Sequence, residues 1–159
     1  MGLSGAPGAP AALLGARFRV QIEGLDESPA CAVVLPQARA APGRGVVKRV
    51  VYTELALRRM LGARADWYEW WARARQGGRE ARDVVISLLD AGGAVPLRWT
   101  MHKVRPSGYG VSDLDALQPA PLVETLALAV QDCDLQFAPP APAGAVPRPV
   151  TRRRSRAGT

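Results

Sequence analysis

Residues 66–76, D-W-Y-E-W-W-A-R-A-R-Q, form the one segment of this chain whose apolar spacing fits only a helix. Trp67, Trp70, Trp71 and Ala74 recur at helical spacing, so three indole rings share one face. Asp66 with Glu69 three residues on reads as a capping box, and Gly77-Gly78 supplies a left-handed stop. So large an apolar stripe on so short a helix has to dock on something. The Trp67, Trp70, Trp71 face is therefore expected to be core, lying on a sheet built by the rest of the chain.

That rest reads at the period of strands. Phe18, Val20 and Ile22 alternate with Arg19, Gln21 and Glu23, which predicts a strand over 17–23 with one buried and one wet face. Residues 31–35 are a short apolar run that Pro36 stops, and 38–45 have the composition of a loop. Residues 46–59 read as one long strand or two broken ones, with Val51, Thr53, Leu55 and Leu57 on one face. Segments 83–89 and 95–104 flank D-A-G-G and predict a hairpin. In its second arm Val95, Leu97, Trp99 and Met101 point one way and Pro96, Arg98, Thr100 and His102 the other; a loop with Gly108 and Gly110 is expected next. A last strand over 122–131 aligns Leu122, Glu124, Leu126, Leu128 and Val130, where Glu124 either pairs with an Arg or marks an interface. Six or seven strands and one helix predict a mainly β (α+β) fold: a small antiparallel β-barrel, or two packed sheets, with one flanking α-helix.

Length and charge bound the organisation. With 159 residues the chain holds one domain plus tails, and no disulfide is needed at that size. The expected folded part is 17–137, between a disordered Gly- and Pro-rich segment 1–16 and a disordered Pro- and Arg-rich tail 138–159. Five basic residues of the net +7 (Arg148, Arg152, Arg153, Arg154 and Arg156) lie in that tail with no acid, leaving the remainder at +2. The tail offers charge without interleaved aromatics, hence only weak, salt-sensitive contact with nucleic acid. The N-terminus lacks a basic region ahead of an apolar core, so no signal peptide is expected, and Ala6 breaks the myristoylation pattern. No apolar run approaches the roughly 18 residues of a membrane span. Synthesis in the cytoplasm is the expectation, with Cys31 and Cys133 as reduced thiols.

Catalytic and metal chemistry have little to stand on. His102 is the only histidine, so neither a metal site nor a nucleophile–base pair finds a second imidazole. The pairs Asp113/Asp115 and Asp132/Asp134 lack the further spaced acids of a calcium loop. Gly108-Tyr109-Gly110 lacks both the rest of a dinucleotide fingerprint and a phosphate-loop lysine. No cofactor, no metal and no enzyme activity are expected.

The ordered set of segments resembles the tail-tube protein family of contractile phages and contractile injection systems, with its Hcp-like tube fold. The matching residues are F-R-V-Q-I-E-G-L at 18–25, V-V-L-P-Q-A-R at 33–39, T-E-L-A-L-R-R-M-L at 53–61, W-Y-E-W-W-A-R-A-R-Q-G at 67–77, R-D-V-V-I-S-L-L-D-A-G-G at 82–93, R-W at 98–99, P-S-G-Y at 106–109, and the closing L-D-A-L and V-E-T-L-A-L-A-V. The resemblance implies a small β-barrel with a helix beside it, six copies closing into a ring, and rings stacking into a hollow tube inside a sheath. It implies partners in the sheath and baseplate, cargo in the lumen, and a final place in a virion or phage-tail-like particle. Arg19, Gln21, Arg98, Thr100, His102 and Glu124 are then the interface or lumen-facing residues. Relatives carry a longer segment where this chain has only A-A-P-G-R-G-V-V-K-R-V-V before Tyr52. That shortening opens one alternative to the main tube, a minor tube-initiating or terminal ring near the baseplate, and the Arg-rich tail opens a second, a basic accessory module binding nucleic acid. Deleting 138–159 separates them: a structural ring is expected to assemble as before, whereas a tail-driven binder loses its salt-dependent polyanion affinity in a binding titration.

Overall fold

The computed structural model describes residues 12–45, 49–78 and 80–139. Most of 1–16 and of 138–159, with all five tail arginines, lies outside them. Among the described residues there are nine strands and one helix: β1 (Phe18–Ile22), β2 (Ala32–Val34), β3 (Ala38–Ala41), β4 (Arg49–Tyr52), β5 (Leu55–Met60), α1 (Asp66–Arg75), β6 (Arg82–Leu88), β7 (Leu97–Val111), β8 (Val123–Ala129) and β9 (Cys133–Phe137). Every strand pairing is antiparallel.

β7 organises the sheets. Its first half lies between β6 and β9, and its second half pairs with β8. One sheet is therefore β1-β6-β7-β9 and the other is β7-β8-β5-β2, with β7 common to both. The change of sheet occurs at Lys103, whose φ of +50° is rare for a residue with a side chain. The β6–β7 register slips beside it, and the Asp83 carboxylate accepts the Lys103 N–H at 2.9 Å. A bulge held by a side chain thus bends one long strand across two sheets. Val20, Ile22, Val84, Ile86, Met101 and Val104 come from the first sheet, Leu55, Leu57, Leu126 and Leu128 from the second, and together they form one buried cluster. Fully burying each such aliphatic side chain contributes roughly 1.5–3 kcal/mol.

α1 packs against β7 and puts Trp67 and Trp70 into that cluster, with Trp71 half-buried at its rim. The Trp70 indole N–H donates to the Glu80 carbonyl at 2.8 Å, so its one polar atom is satisfied. Gly77 ends the helix at φ +87°, as expected. The capping box does not form: Ala65 is the N-cap, and no side chain caps the helix. Asp66 is instead the first helical residue, because arginines take up its carboxylate.

Those contacts belong to a polar cluster inside the core. Arg59 on β5 is 4% exposed and Glu124 on β8 is 0% exposed. The Arg59 guanidinium donates through Nε to Glu124, through Nη2 to Asp66 at 2.6 Å and through Nη1 to Ser28 at 2.9 Å, and it lies 4.2 Å from the centre of the Trp67 ring. The Tyr109 hydroxyl on β7 donates to the other Glu124 oxygen at 2.7 Å. Burial, then the Glu124 hydrogen bond, pushes the Tyr109 hydroxyl up to about 12. Burial alone would raise the Asp66 carboxyl, but hydrogen bonds and attraction from Arg59 and Arg64 outweigh it and hold the group below the usual carboxylate range.

Four expectations change. Residues 38–41 are a strand, not a loop; they pair with β4 as a separate two-stranded ribbon and carry no apolar alternation to reveal it. Of the two alternatives for 46–59 the broken pair holds, split at Thr53-Glu54 into strands of different sheets, but the shared face does not: Val51 is 39% exposed while Leu55 and Leu57 are 0% exposed. The expected Gly108–Gly110 loop is the second half of β7, where the glycines face away from the buried Tyr109–Glu124 pair. β9, Cys133–Phe137, follows β8 after a short turn and lies outside the expected set of strands.

Arg59→Ala is expected to destabilise by about 3–5 kcal/mol in a denaturant titration, because it strands the buried Glu124 charge. Arg59→Met with Glu124→Leu is expected to recover most of that loss. Because the folded Asp66 carboxyl is held low, its contribution is present above the ordinary carboxylate range and disappears as pH falls through the folded value. Asp66→Asn is expected to flatten that acid limb when unfolding is followed by tryptophan fluorescence.

Candidate assembly surface

The antiparallel register places five of the expected surface residues on one face of the first sheet. Arg19, Ser87, Arg98 and Gln136 form one row across β1-β6-β7-β9, and Gln21, Val85, Thr100 and Asp134 form the next. His102 begins a third row beside Asp83 and Asp132. The row-to-row alternation turns Val20, Ile22, Val84, Ile86 and Met101 inward, so one face of this sheet is core and the other is polar. Arg19 is paired with Glu27 at 3.0 Å at the rim. The exception is Glu124: it is fully buried against Arg59 and Tyr109 and reaches neither an interface nor a lumen. Its position on an otherwise apolar strand face already pointed to an Arg partner. Trp67 and Trp70 are core, as the helical stripe predicts.

The two margins of this four-stranded sheet pair with no further strand among the described residues; at the start of β9 the Tyr52 hydroxyl donates to the outward Cys133 carbonyl at 3.5 Å. On β9 the Ala138 N–H donates to the Pro96 carbonyl and the His102 N–H to the Asp132 carbonyl. The antiparallel ladder then turns the N–H groups of Cys133, Leu135 and Phe137 to the free side. At the other margin the Leu89 N–H donates to Arg17 and the Glu23 N–H to Asp83, so the Phe18, Val20 and Ile22 N–H groups face outward. A groove of about 480 Å³ runs beside β1, lined by Phe18, Val20, Leu89 and residues 27–30. Leu135 is 46% and Phe137 72% exposed, an apolar edge of a kind that isolated proteins normally blunt.

Two further surfaces carry apolar side chains in water. The β3–β4 ribbon exposes Val50 and Val51 among Arg39, Arg44 and Arg49, with no acid anywhere between 36 and 53. The loop between β7 and β8 exposes Leu114 at 84% and Leu117 at 91% beside Asp113 and Asp115. Its base is closed by the Ser112 N–H donating to the Val123 carbonyl at 2.9 Å and the Val123 N–H donating to Ser112 Oγ at 3.0 Å. Sequence reasoning named both segments but not their exposed apolar side chains, because neither has a periodic pattern that sets a face. Among the described residues no cluster of His, Cys, Asp and Glu is placed to hold a metal ion, and no helix is long and apolar enough to cross a membrane.

Comparison with known proteins gives a consistent result. A profile of the T4-like virus tail tube protein gp19 matches residues 37–134. The fold is similar to a chain of the sheath–tube complex of the PVC extracellular contractile injection system in its extended state: TM-score 0.66, 16% identity, 81% of this chain and 94% of that one covered. It is similar to a chain of the cap that terminates the anti-feeding prophage tube, with TM-score 0.66, 18% identity, and 87% and 100% covered. Hcp1 from Salmonella typhimurium is similar at TM-score 0.57 and 13% identity, with 76% and 85% covered. No curated protein sequence matches the chain.

Replacing Leu114 and Leu117 together by Ser is expected to change unfolding free energy by no more than about 0.5 kcal/mol, since both side chains are already in water. The same pair is expected to lower concentration-dependent self-association, read by sedimentation.

Proposed function

This chain belongs to the T4-like virus tail tube protein family, and we propose from that premise that it is a structural subunit of the inner tube of a contractile phage tail or phage-tail-like injection system. Six copies close into a ring, and rings stack into a hollow tube. The observation that carries this reading is the pair of open margins on one sheet whose two faces differ in polarity. The β9 edge offers free N–H groups flanked by Leu135 and Phe137, and the groove beside β1, walled by Phe18, Val20 and Leu89 together with Arg19, Glu27 and Ser28, offers an edge on the opposite margin. A copy that inserts β9 beside the next copy's β1 satisfies both edges through a head-to-tail contact, and such contacts close into rings. In that ring the face with Arg19, Gln21, Arg98, Thr100 and His102 is continuous from copy to copy and lines the lumen. The basic apolar ribbon and the acidic apolar loop lie outside this sheet, free for contacts between rings or with sheath and baseplate proteins. The role is structural: the interior polar groups of Arg59, Glu124 and Tyr109 are spent on one another.

The likeness to a chain of a tube-terminating cap favours one second reading, a terminal or initiating ring. Electron microscopy of the purified protein, with mass measured in solution, decides between them. Six-fold rings that stack into tubes are the expected result; rings that never stack favour the terminal ring, and a monomer at high concentration counts against both. Leu135→Pro, which removes an outward N–H without removing a β7 hydrogen bond, is expected to abolish rings while the thermal midpoint stays within a few degrees.

A further inference from the structure

His102 sits where three strands of the polar sheet meet. Its Nδ1 is 3.4 Å from Asp83 Oδ2 on β6, and its Nε2 is 3.1 Å from Asp134 Oδ2 on β9. Both neighbours are carboxylates. A neutral imidazole carries one N–H and can donate to only one of them; the imidazolium donates to both at once. The two carboxylates lie at opposite ends of the ring, so they bracket it rather than converge on a shared cation.

We propose that His102 is a pH-responsive clip that fastens the edge strand β9 to the shared strand β7. The charged groups around it are Asp83 from β6, Asp134 from β9, Asp132 from the turn that precedes β9, and Lys103 next along β7, whose N–H donates to Asp83. Three acids face the ring and one base adjoins it. The Asp134 hydrogen bond first, then that from Asp83, raises the imidazole above its ordinary value. A raised folded pKa gives stability that is complete below the unfolded value, about 6.5, and is lost as pH rises through the folded value. Deprotonation leaves one carboxylate facing a ring nitrogen that no longer donates. Among the described residues β9 has β7 as its only strand partner, so the loss falls on the start of the strand whose outer edge is open. Its effect on ring assembly rests on the sheet-extension reading above; the clip itself does not.

The test uses the full chain, in which His102 is the only histidine and therefore an unambiguous nuclear magnetic resonance probe. The ring signals are followed from acid to alkaline pH together with hydrogen-exchange protection factors, corrected for intrinsic rates, at the Asp134 and Gln136 amides that face β7. The expected result is a midpoint above about 6.5 and a several-fold fall in β9 protection that tracks it. Asp134→Asn lowers the midpoint, and His102→Gln makes the protection independent of pH over the same range. A midpoint at or below the ordinary histidine value, or β9 protection that ignores the titration, overturns the proposal. Both readouts are obtained whatever the oligomeric state, so failure of the clip and failure of the ring reading are separate results.

Discussion

The ion pair between Arg59 and Glu124, buried between β5 and β8, holds the rest of the molecule in place. Two charges removed from water lose several kcal/mol of hydration each, and only close geometry with all remaining hydrogen-bond capacity filled offsets that loss. Here it is filled from three other places: Asp66 on α1, Tyr109 on β7, and Ser28 in the β1–β2 connection, with the Trp67 ring of α1 beside the guanidinium. The partners come from three separate parts of the chain, so the cluster is satisfied in one arrangement of helix and strands and in few others. An apolar replacement of similar volume would tolerate sliding between the layers. The charged cluster resists it, because any slip leaves a buried group unpaired.

That interior economy contrasts with the periphery. Inside, Val84, Leu55, Leu57, Leu126 and Leu128 are sealed from water. At the margins, strand edges stand open, and Met60, Phe137, Leu114 and Leu117 are more than half exposed. A solitary soluble domain with such edges invites uncontrolled pairing. A subunit that joins copies of itself, as proposed here, requires them. The bulge at Lys103 connects the two halves: it turns β7 from a sheet with two open margins into a sheet closed over the core by α1 and β5. Rigidity and adhesiveness are thereby assigned to different parts of one strand.

How much of this was legible follows from what each residue interacts with. The helix was readable because Trp67, Trp70 and Trp71 repeat at its own period, β1, the first half of β7 and β8 because apolar residues recur there at every second position, and β6 because D-A-G-G joins it to β7 as a hairpin. The polar face of Arg19, Gln21, Arg98, Thr100 and His102 followed from the same alternation, since strand parity decides the face once one residue is placed. β3 and β9 were not readable as strands. In Ala38–Ala41 and Cys133–Phe137 the pairing partner, not a local pattern, makes the strand, and those partners lie 14 residues away at Ala38↔Tyr52 and 32 residues away at Met101↔Cys133. The capping role of Asp66 failed for a related reason: its carboxylate is taken up by neighbouring Arg64 and by Arg59 on β5, which the fold brings to the start of the helix.

The sequence by itself determined the class of fold, the helix and its buried face, and the alternation that separates core from water, because these depend on periodicity and composition within a few residues. The tertiary structure alone decided that β7 serves two sheets, that Glu124 meets Arg59 rather than a neighbour, that His102 stands between Asp83 and Asp134, and which edges remain open. Those outcomes depend on residues far apart in the chain arriving at one place, and no local pattern encodes a distance that only packing sets.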